Sequence, residues 1–272
     1  MLISFNSLKN FVIINSFLLS LGWIQHCCIT IYANNLNQFY NVFAAFFIFI
    51  TRNYLLLNFV EHGTKNKPNI NNNILFDPKE EYPNEFHVSV MTASLVESVT
   101  HVFVKTQIIN INLSSNIYYE LLVFVPLSFG FEIVFDFFHY FAHRLLHNKY
   151  LYKYFHKKHH KFNYPTAIIT FYQDPVDLLI TNSIPTVLSL RIFPSISYFQ
   201  FNFIAIYKNF IEICGHSGKL SYPTPSFPQF IWLPKILRFE LYTENHGLHH
   251  SLNNCNYSKR FSLWDKVFNT YK

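Results

Sequence analysis

Apolar residues dominate residues 11–31 and again 39–60, and the break between them is held by Asn34, Asn35, Asn37 and Gln38. A helix needs about 20 mostly apolar residues to cross a hydrocarbon core about 30 Å thick. Both stretches are long enough, so the pattern predicts a membrane-crossing helical hairpin. Arg52 and Asn53 interrupt the second stretch; either the span ends near Thr51, or Arg52 faces protein or snorkels to the interface.

Between residues 61 and 85 the chain turns to Lys, Asn, Pro and Asp, with Asn71 to Asn73 in a row, which predicts a loop facing water. Residues 88–111 are apolar again but carry Glu97, His101 and Lys105, the pattern of an interfacial or bundle-buried helix. Residues 118–138 predict a third strong span that leads into a group of histidines. Residues 168–192 and 196–214 supply one or two more spans, the former made amphipathic by Asp174 and Asp177. The closing stretch, 217–272, mixes proline, aromatics and charge; it is too polar to span and is expected to form a water-facing cap. The fold class expected is all-α, an integral membrane bundle of about four to six membrane or interfacial helices with a histidine-rich cytosolic cap.

Composition agrees. The chain has 50% hydrophobic and only 13% charged residues, with a mean hydropathy of +0.13, unlike an ordinary soluble domain. The 32 phenylalanines carry less weight, because abundant Ile and Asn beside them point to a nucleotide-biased genome. A net charge of +6 raises nucleic acid as a partner. The positive residues, however, flank apolar segments rather than forming an arm, which favours a membrane surface and no nucleic acid. Lys149, Lys153, Lys157, Lys158 and Lys161 surround the middle histidines, and Lys259, Arg260 and Lys266 follow the last ones. The excess of positive charge puts both on the cytosolic side. Cys27, Cys28, Cys214 and Cys255 have no disulfide or zinc-ribbon spacing and read as free thiols. Lys9 is the only early positive charge and no small-residue cleavage site follows, so the first apolar stretch reads as a retained anchor. No internal repeat or glycine-rich phosphate loop is visible.

Ten of the 14 histidines fall between His139 and His250. His139, His143 and His147 stand at i, i+4 and i+8, preceded by Asp136; on a helix such residues share a face. His156, His159 and His160 form a His-x-x-His-His pattern, and His246, His249 and His250 form a second. At 14 positions in 272, one such pattern is expected by chance about 0.04 times per chain, so two copies argue for a selected site. Residues i, i+3 and i+4 of a helix fall on one face, so each pattern can offer three nitrogens to a shared pocket. Burying that many imidazoles without a metal would strand polar groups. Lone His26, His62, His87 and His101 read instead as hydrogen-bonded core residues. His216, at the end of an apolar helix, is either a satisfied helix-end histidine or a tenth ligand.

The count overshoots structural zinc and single catalytic zinc, so a dinuclear centre fits. Imidazole tolerates Zn, Cu, Fe or Ni; an oxygen-activating iron pair beside lipid is favoured, because attack on an unactivated C–H bond is beyond side-chain chemistry. Glu244 and Asp136 are candidates to hydrogen-bond ligand imidazoles, or else ordinary carboxylates. A membrane zinc hydrolase is the rival enzyme, disfavoured because no His-Glu-x-x-His is present.

The strings DFFHYFAHRLLH, LYKYFHKKHH, GHSG and ENHGLHHSLNNCNYSKRFSLWDKVFNT resemble the fatty acid hydroxylase and sterol desaturase superfamily, especially its C4-methylsterol oxidase-like branch, over residues 131–271. The resemblance implies two non-haem iron ions, O2, and electrons from NAD(P)H through a separate cytochrome b5-type carrier and its reductase. It also implies a lipid substrate (a sterol, acyl chain or sphingoid base) and residence in the endoplasmic reticulum, with the metal site facing the cytosol. It makes residues 1–115 the N-terminal membrane helices and polar loop, and 116–272 the catalytic region, one structural unit with those helices. Carried over by position, the metal residues are His143 and His147, then His156, His159 and His160, then His246, His249 and His250, with His139 and His216 as additional family histidines and Asn256 beside them. One departure stands out: where the family shows His-Pro-x-Glu, this chain has Asp174-Pro175-Val176-Asp177. That change makes Asp174 a candidate ligand or ligand-orienting group and motivates a second expectation, a catalytically silent relative that keeps metal as a structural or lipid-binding membrane protein. The family's C-terminal Gly-Thr is Asn269-Thr270 here.

Overall fold

The computed structural model describes residues 5–33, 37–70, 82–109, 116–162, 166–220 and 226–272. Among them there is no strand, and four helices are long and apolar enough to cross a membrane. The predicted hairpin is α1 (Phe5–Ala33) and α2 (Gln38–Thr64). Asn37 ends the break by capping α2, its side chain accepting from Tyr40 N, while Asn34 and Asn35 lie outside the described residues. α2 runs on past Thr51, so Arg52 lies inside it.

α3 (Pro83–Phe103) is prolonged by a π turn, Val104–Ile108. The sequence expectation left this segment interfacial or buried; it is a fourth candidate span, because Glu97 and His101 turn inward and leave Val88, Leu95 and Val99 outside. α4 (Ile117–Leu146), capped by Asn116, carries the first histidines. Large apolar side chains exposed along these four helices, among them Val12, Trp23, Phe43, Phe47, Leu121 and Leu122, would be anomalous in water and are what a lipid-facing surface requires.

The chain then enters the cap. α5 (Lys149–Leu151) runs into a π turn, Tyr152–His156, followed by 3-10 turns His159–Lys161 and Ala167–Phe171. The helix expected from residue 168 begins instead at Pro175, because a residue before proline is pushed out of the helical region and Asp174 caps the next turn through Val176 N. That helix, α6, comprises Pro175–Leu178, a π turn Leu179–Ser183 and Ile184–Ile192. α7 (Tyr198–Gly215) opens on a capping box of Ser197 and Gln200 and is buried along most of its length against α1, α2 and α4. Apolar on nearly all sides, it is the bundle's central helix rather than a lipid-facing span. α8 (Leu233–Ile236), α9 (Thr243–Leu252) and α10 (Leu263–Val267) complete the cap. The loop before α3 is docked as well as solvated: Ile70 N donates to Gly218 O at 2.9 Å and Lys219 Nζ to Asn69 Oδ1 at 2.6 Å. Asn71 to Asn73 lie outside the described residues.

Of the two readings of Arg52, the structure takes the inward one. The side chain is 1% exposed. It ion-pairs with Glu97, donates to Gln25 Oε1 at 3.1 Å and Asn53 Oδ1 at 2.8 Å, and lies 4.5 Å from the Phe49 ring. Gln25 in turn donates to Asn202 Oδ1 at 3.1 Å, and Asn209 Nδ2 donates to both Glu97 oxygens at 3.1 and 3.2 Å. One guanidinium thus ties α1, α2, α3 and α7 together where water is scarce. Removing one partner of such a pair strands the other charge. Arg52→Met is expected to lower stability by about 3–5 kcal/mol, read as reduced thermal unfolding temperature of the detergent-solubilised protein; an unchanged transition would show that the pair holds nothing together.

Candidate metal centre

Nine of the ten predicted histidines converge. His143, His147, His156, His160 and His249 form one group and His159, His216, His246 and His250 another, each offering ligand atoms that all lie within 4.8 Å of one another. The boxes interlock. The second sends His156 and His160 to the first group and His159 to the other; the third sends His246 and His250 to the second group and His249 to the first. α4 adds two histidines to the first group, and His216, at the C-terminal end of α7, adds the fourth to the second. The groups share a wall, with the His160 and His250 rings 4.5 Å apart. The first row lies on α4 and the third box on α9, as expected; the second is built on a π turn and a 3-10 turn, which still bring His156 and His160 together.

Hydrogen bonds fix which ring nitrogens face inward. His143 Nδ1 bonds Tyr257 O at 2.8 Å, His249 Nδ1 bonds Cys255 O at 2.7 Å, and His216 Nδ1 bonds Glu212 O at 2.8 Å. A carbonyl only accepts, so each Nδ1 carries the proton and each Nε2 presents a lone pair. His156 Nδ1 does the same to Asp177 Oδ2 at 2.8 Å. The unprotonated Nε2 atoms of His143 and His156 then face each other at 3.1 Å with no proton to share. His147 Nε2 and His249 Nε2, in the same group, are buried without a partner. In the second group, His216 Nε2 lies 3.3 Å from His159 Nε2 and 2.8 Å from His246 Nε2. Metal–imidazole bonds are about 2.0–2.1 Å, which places neighbouring ligand nitrogens about 3 Å apart. The donor set and spacing fit a cation in each group.

Burial drives the imidazoles toward the neutral, metal-binding form. It holds His159, His160, His246 and His250 well below the usual histidine value, and takes His216 to about 4 and His249 to about 3.

The remaining predicted residues sit behind this layer. His139 is in neither group; its Nδ1 bonds Thr181 O at 2.7 Å, and its ring lies 5.2 Å from that of His143. Asp136 touches no imidazole. It accepts the backbone N–H groups of Lys259, Arg260 and Phe261 at 2.7–3.0 Å, and Asp265 accepts those of Tyr257 and Ser258 at 2.8 and 2.9 Å. Together they fix the loop whose carbonyls orient His143 and His249. Asn256, at positive φ, binds Asn245 O and both backbone groups of Lys272. Glu244 leaves Oε2 buried and unpartnered. Asp174 is the cap of α6, and Asp177, one turn on, is the carboxylate that reaches a histidine.

Sequence reading missed a buried charge cluster. Lys259 and Arg260 look like cytosolic surface markers, yet Arg260 is 0% exposed and pairs with Glu212 at 2.8 Å and Glu132 at 2.9 Å. The Glu132 contact is not aligned as a hydrogen bond. Lys259 Nζ lies 3.3 Å from Glu212. Both charges are consumed inside the protein and say nothing about orientation, whereas the five lysines around the second box are exposed. Of the lone histidines, His101 is buried on Tyr198 OH at 2.9 Å and His26 lies 3.4 Å from Asn202 Nδ2. His87, though bonded to Tyr54 OH at 2.6 Å, is exposed, as is His62, so these two are not core residues. The four cysteines are free.

The fatty acid hydroxylase family model matches residues 128–270. One relative, the fatty acid hydroxylase vlmA of Lecanicillium sp, is 37% identical over 67 residues, a stretch covering 24% of this chain and 18% of that protein. No solved structure matches the chain.

A pH dependence follows from the buried histidines. Because the folded state holds His216 at about 4 and His249 at about 3 while the unfolded chain titrates near 6.5, the unfolded state binds more protons below that value. Stability of the metal-free protein is therefore constant above about pH 7 and falls as pH drops, each of these two histidines removing roughly 1 kcal/mol by about pH 5.5. Thermal unfolding of the metal-free protein between about pH 7.5 and pH 5 checks it; a transition independent of pH would contradict burial of neutral imidazoles.

Proposed function

The chain belongs to the fatty acid hydroxylase family, and from that premise we propose that it is a membrane-bound non-haem di-iron oxidase that hydroxylates or desaturates a lipid C–H bond. The observation that carries the reading is the pair of imidazole groups with facing, unprotonated Nε2 atoms at the edge of four apolar helices. His143, His147, His156, His160 and His249 would hold one ion, and His159, His216, His246 and His250 the other. Iron, when bound, supplies the activation of O2 that no side chain here can perform.

The protein's own contribution is orientation and exclusion of water. Asp177 and the carbonyls of Tyr257, Cys255 and Glu212 hold four rings with Nε2 inward, and Asp136 and Asp265 hold two of those carbonyls in place. His139 packs behind His143 and is assigned to this supporting layer rather than to a metal. Electrons are supplied from NAD(P)H by a separate acidic carrier of the cytochrome b5 type with its reductase, and the exposed lysines at 149, 153, 157, 158 and 161 suit such a partner. Those lysines also support a cytosolic placement of the cap, with the endoplasmic reticulum as the membrane. Sterols, acyl chains and sphingoid bases are the substrate classes; the family name and that of its Lecanicillium relative speak for a lipid.

The acidic residue at 174 motivated a catalytically silent alternative. Asp174 caps α6, and the carboxylate that orients His156 is supplied by Asp177, which favours the oxidase reading.

Protein purified without oxygen is expected to carry close to two irons per chain, and Asp177→Asn to weaken metal retention by about 10–100-fold. Supplied with 18O2 and reductant, a hydroxylase product carries one labelled oxygen and a desaturase product none. A single zinc per chain, or iron without lipid-dependent oxygen consumption, would overturn the proposal.

A further inference from the structure

A partly open cavity lies inside the bundle between α3, α6 and α7. None of the ten clustered histidines lines it. Its floor nevertheless touches the layer that holds them. Leu178 and Asn182 follow Asp177 and Thr181, which bond His156 and His139, and Glu212 both lines the cavity and holds His216 through its carbonyl.

Apolar walls such as Val96, Phe131 and Ile204 are expected for a lipid chamber. The polar residues among them are not, because a bare hydrocarbon guest would leave their hydrogen-bonding atoms unsatisfied. Two lining amides are each 9% exposed and each keeps one atom with no hydrogen bond to the protein. Asn209 spends its Nδ2 on Glu97, leaving Oδ1 as an acceptor; Asn182 Oδ1 accepts from Lys208 Nζ at 3.4 Å, leaving Nδ2 as a donor. Each charge around them already has an opposite partner, Glu97 in Arg52 and Glu212 in Lys208, Lys259 and Arg260, the last shared with Glu132. A carboxylate head group would meet two lining carboxylates, Glu97 and Glu212, and compete with them for Lys208, whereas a hydroxyl both donates and accepts and brings no charge.

We propose that this cavity is the substrate chamber and that it selects a lipid carrying a neutral hydroxyl group, read by Asn182 and Asn209, rather than a plain hydrocarbon chain or a free carboxylate. The inference rests on the oxidase reading only in calling the ligand a substrate.

The test uses the full chain with its metal in lipid nanodiscs, kept anaerobic so that nothing turns over, and measures binding of tritiated oleyl alcohol, of oleic acid, and of the matched alkene ending in a methyl group. The alcohol is expected to bind at least about tenfold more tightly than either competitor, because the competitors leave the amide atoms unpaired. Asn182→Leu and Asn209→Leu should each shrink the preference over the alkene without weakening alkene binding. If the Asn209 variant does not fold, owing to its bond with Glu97, Asn182→Leu decides alone. Ala205→Trp, which fills the cavity, should abolish binding of all three. Equal binding of alcohol and alkene, tighter binding of the acid, no binding at all, or full preference in the Asn182 variant each overturns the chamber. Oxygen is then admitted to the same sample: a preference for the alcohol without any oxidised product supports the chamber and sinks the oxidase reading, while product without the preference does the reverse.

Discussion

Lone pairs that face one another at hydrogen-bonding distance repel unless a proton or a cation lies between them, and the cap of this protein is arranged around that constraint. Four imidazoles have their protons committed outward, to Tyr257 O, Cys255 O, Glu212 O and Asp177. Their inner nitrogens therefore cannot satisfy each other. Burial adds to the demand, because it opposes protonation as a way out. A cation in each group meets both requirements at once, and the interlocked supply of ligands from the second and third boxes means that neither group can form without the other. The pairing of the two histidine groups is thus a property of the chain connectivity, not of two independent clusters placed side by side.

What holds the histidines is mostly backbone, and the backbone is held by carboxylates. Asp136 reaches from α4 to the N–H groups of residues 259–261, and Asp265 reaches back to residues 257 and 258. Trp264 Nε1 donates to Ile133 O at 3.0 Å, so the same segment is pinned to α4 a second time. Arg260 then anchors the loop against Glu212 of α7, the residue whose carbonyl orients His216. Buried charges and backbone hydrogen bonds in this way join the cap to α4 and α7.

The histidines were legible because their chemistry is rare and their spacing short. The partition into five and four was not, since it depends on a π turn and a 3-10 turn that no periodicity announces. Asp177 was visible only as the last residue of an altered family motif, and the attention drawn by Asp174 hid it. Carbonyl partners have no sequence signal at all, because every residue has one. Lys259 and Arg260 misled for a related reason: a basic residue beside a membrane segment reads alike whether it faces lipid head groups or a buried carboxylate. The hairpin, by contrast, was readable to within a few residues, and α3 was underrated only because inward-facing Glu97 and His101 count against a span in a linear sum while costing far less once paired.

That last point bears on why the bundle is polar inside. α7 is surrounded by other helices, so its side chains never meet lipid, and a helix in that position needs no polar residues for packing alone. It nevertheless carries Asn202, Lys208, Asn209 and Glu212, and α2 and α3 answer with Arg52, Asn53 and Glu97. Within lipid such groups are expensive and are retained where they serve a ligand, a pathway or register. Register accounts for Arg52, whose partners Gln25 and Glu97 come from two other helices and in turn bond Asn202 and Asn209 of α7. It does not account for Asn182 Nδ2 and Asn209 Oδ1, which bond nothing in the protein and line the cavity between α3, α6 and α7, and those two atoms are where the structure asks for a guest.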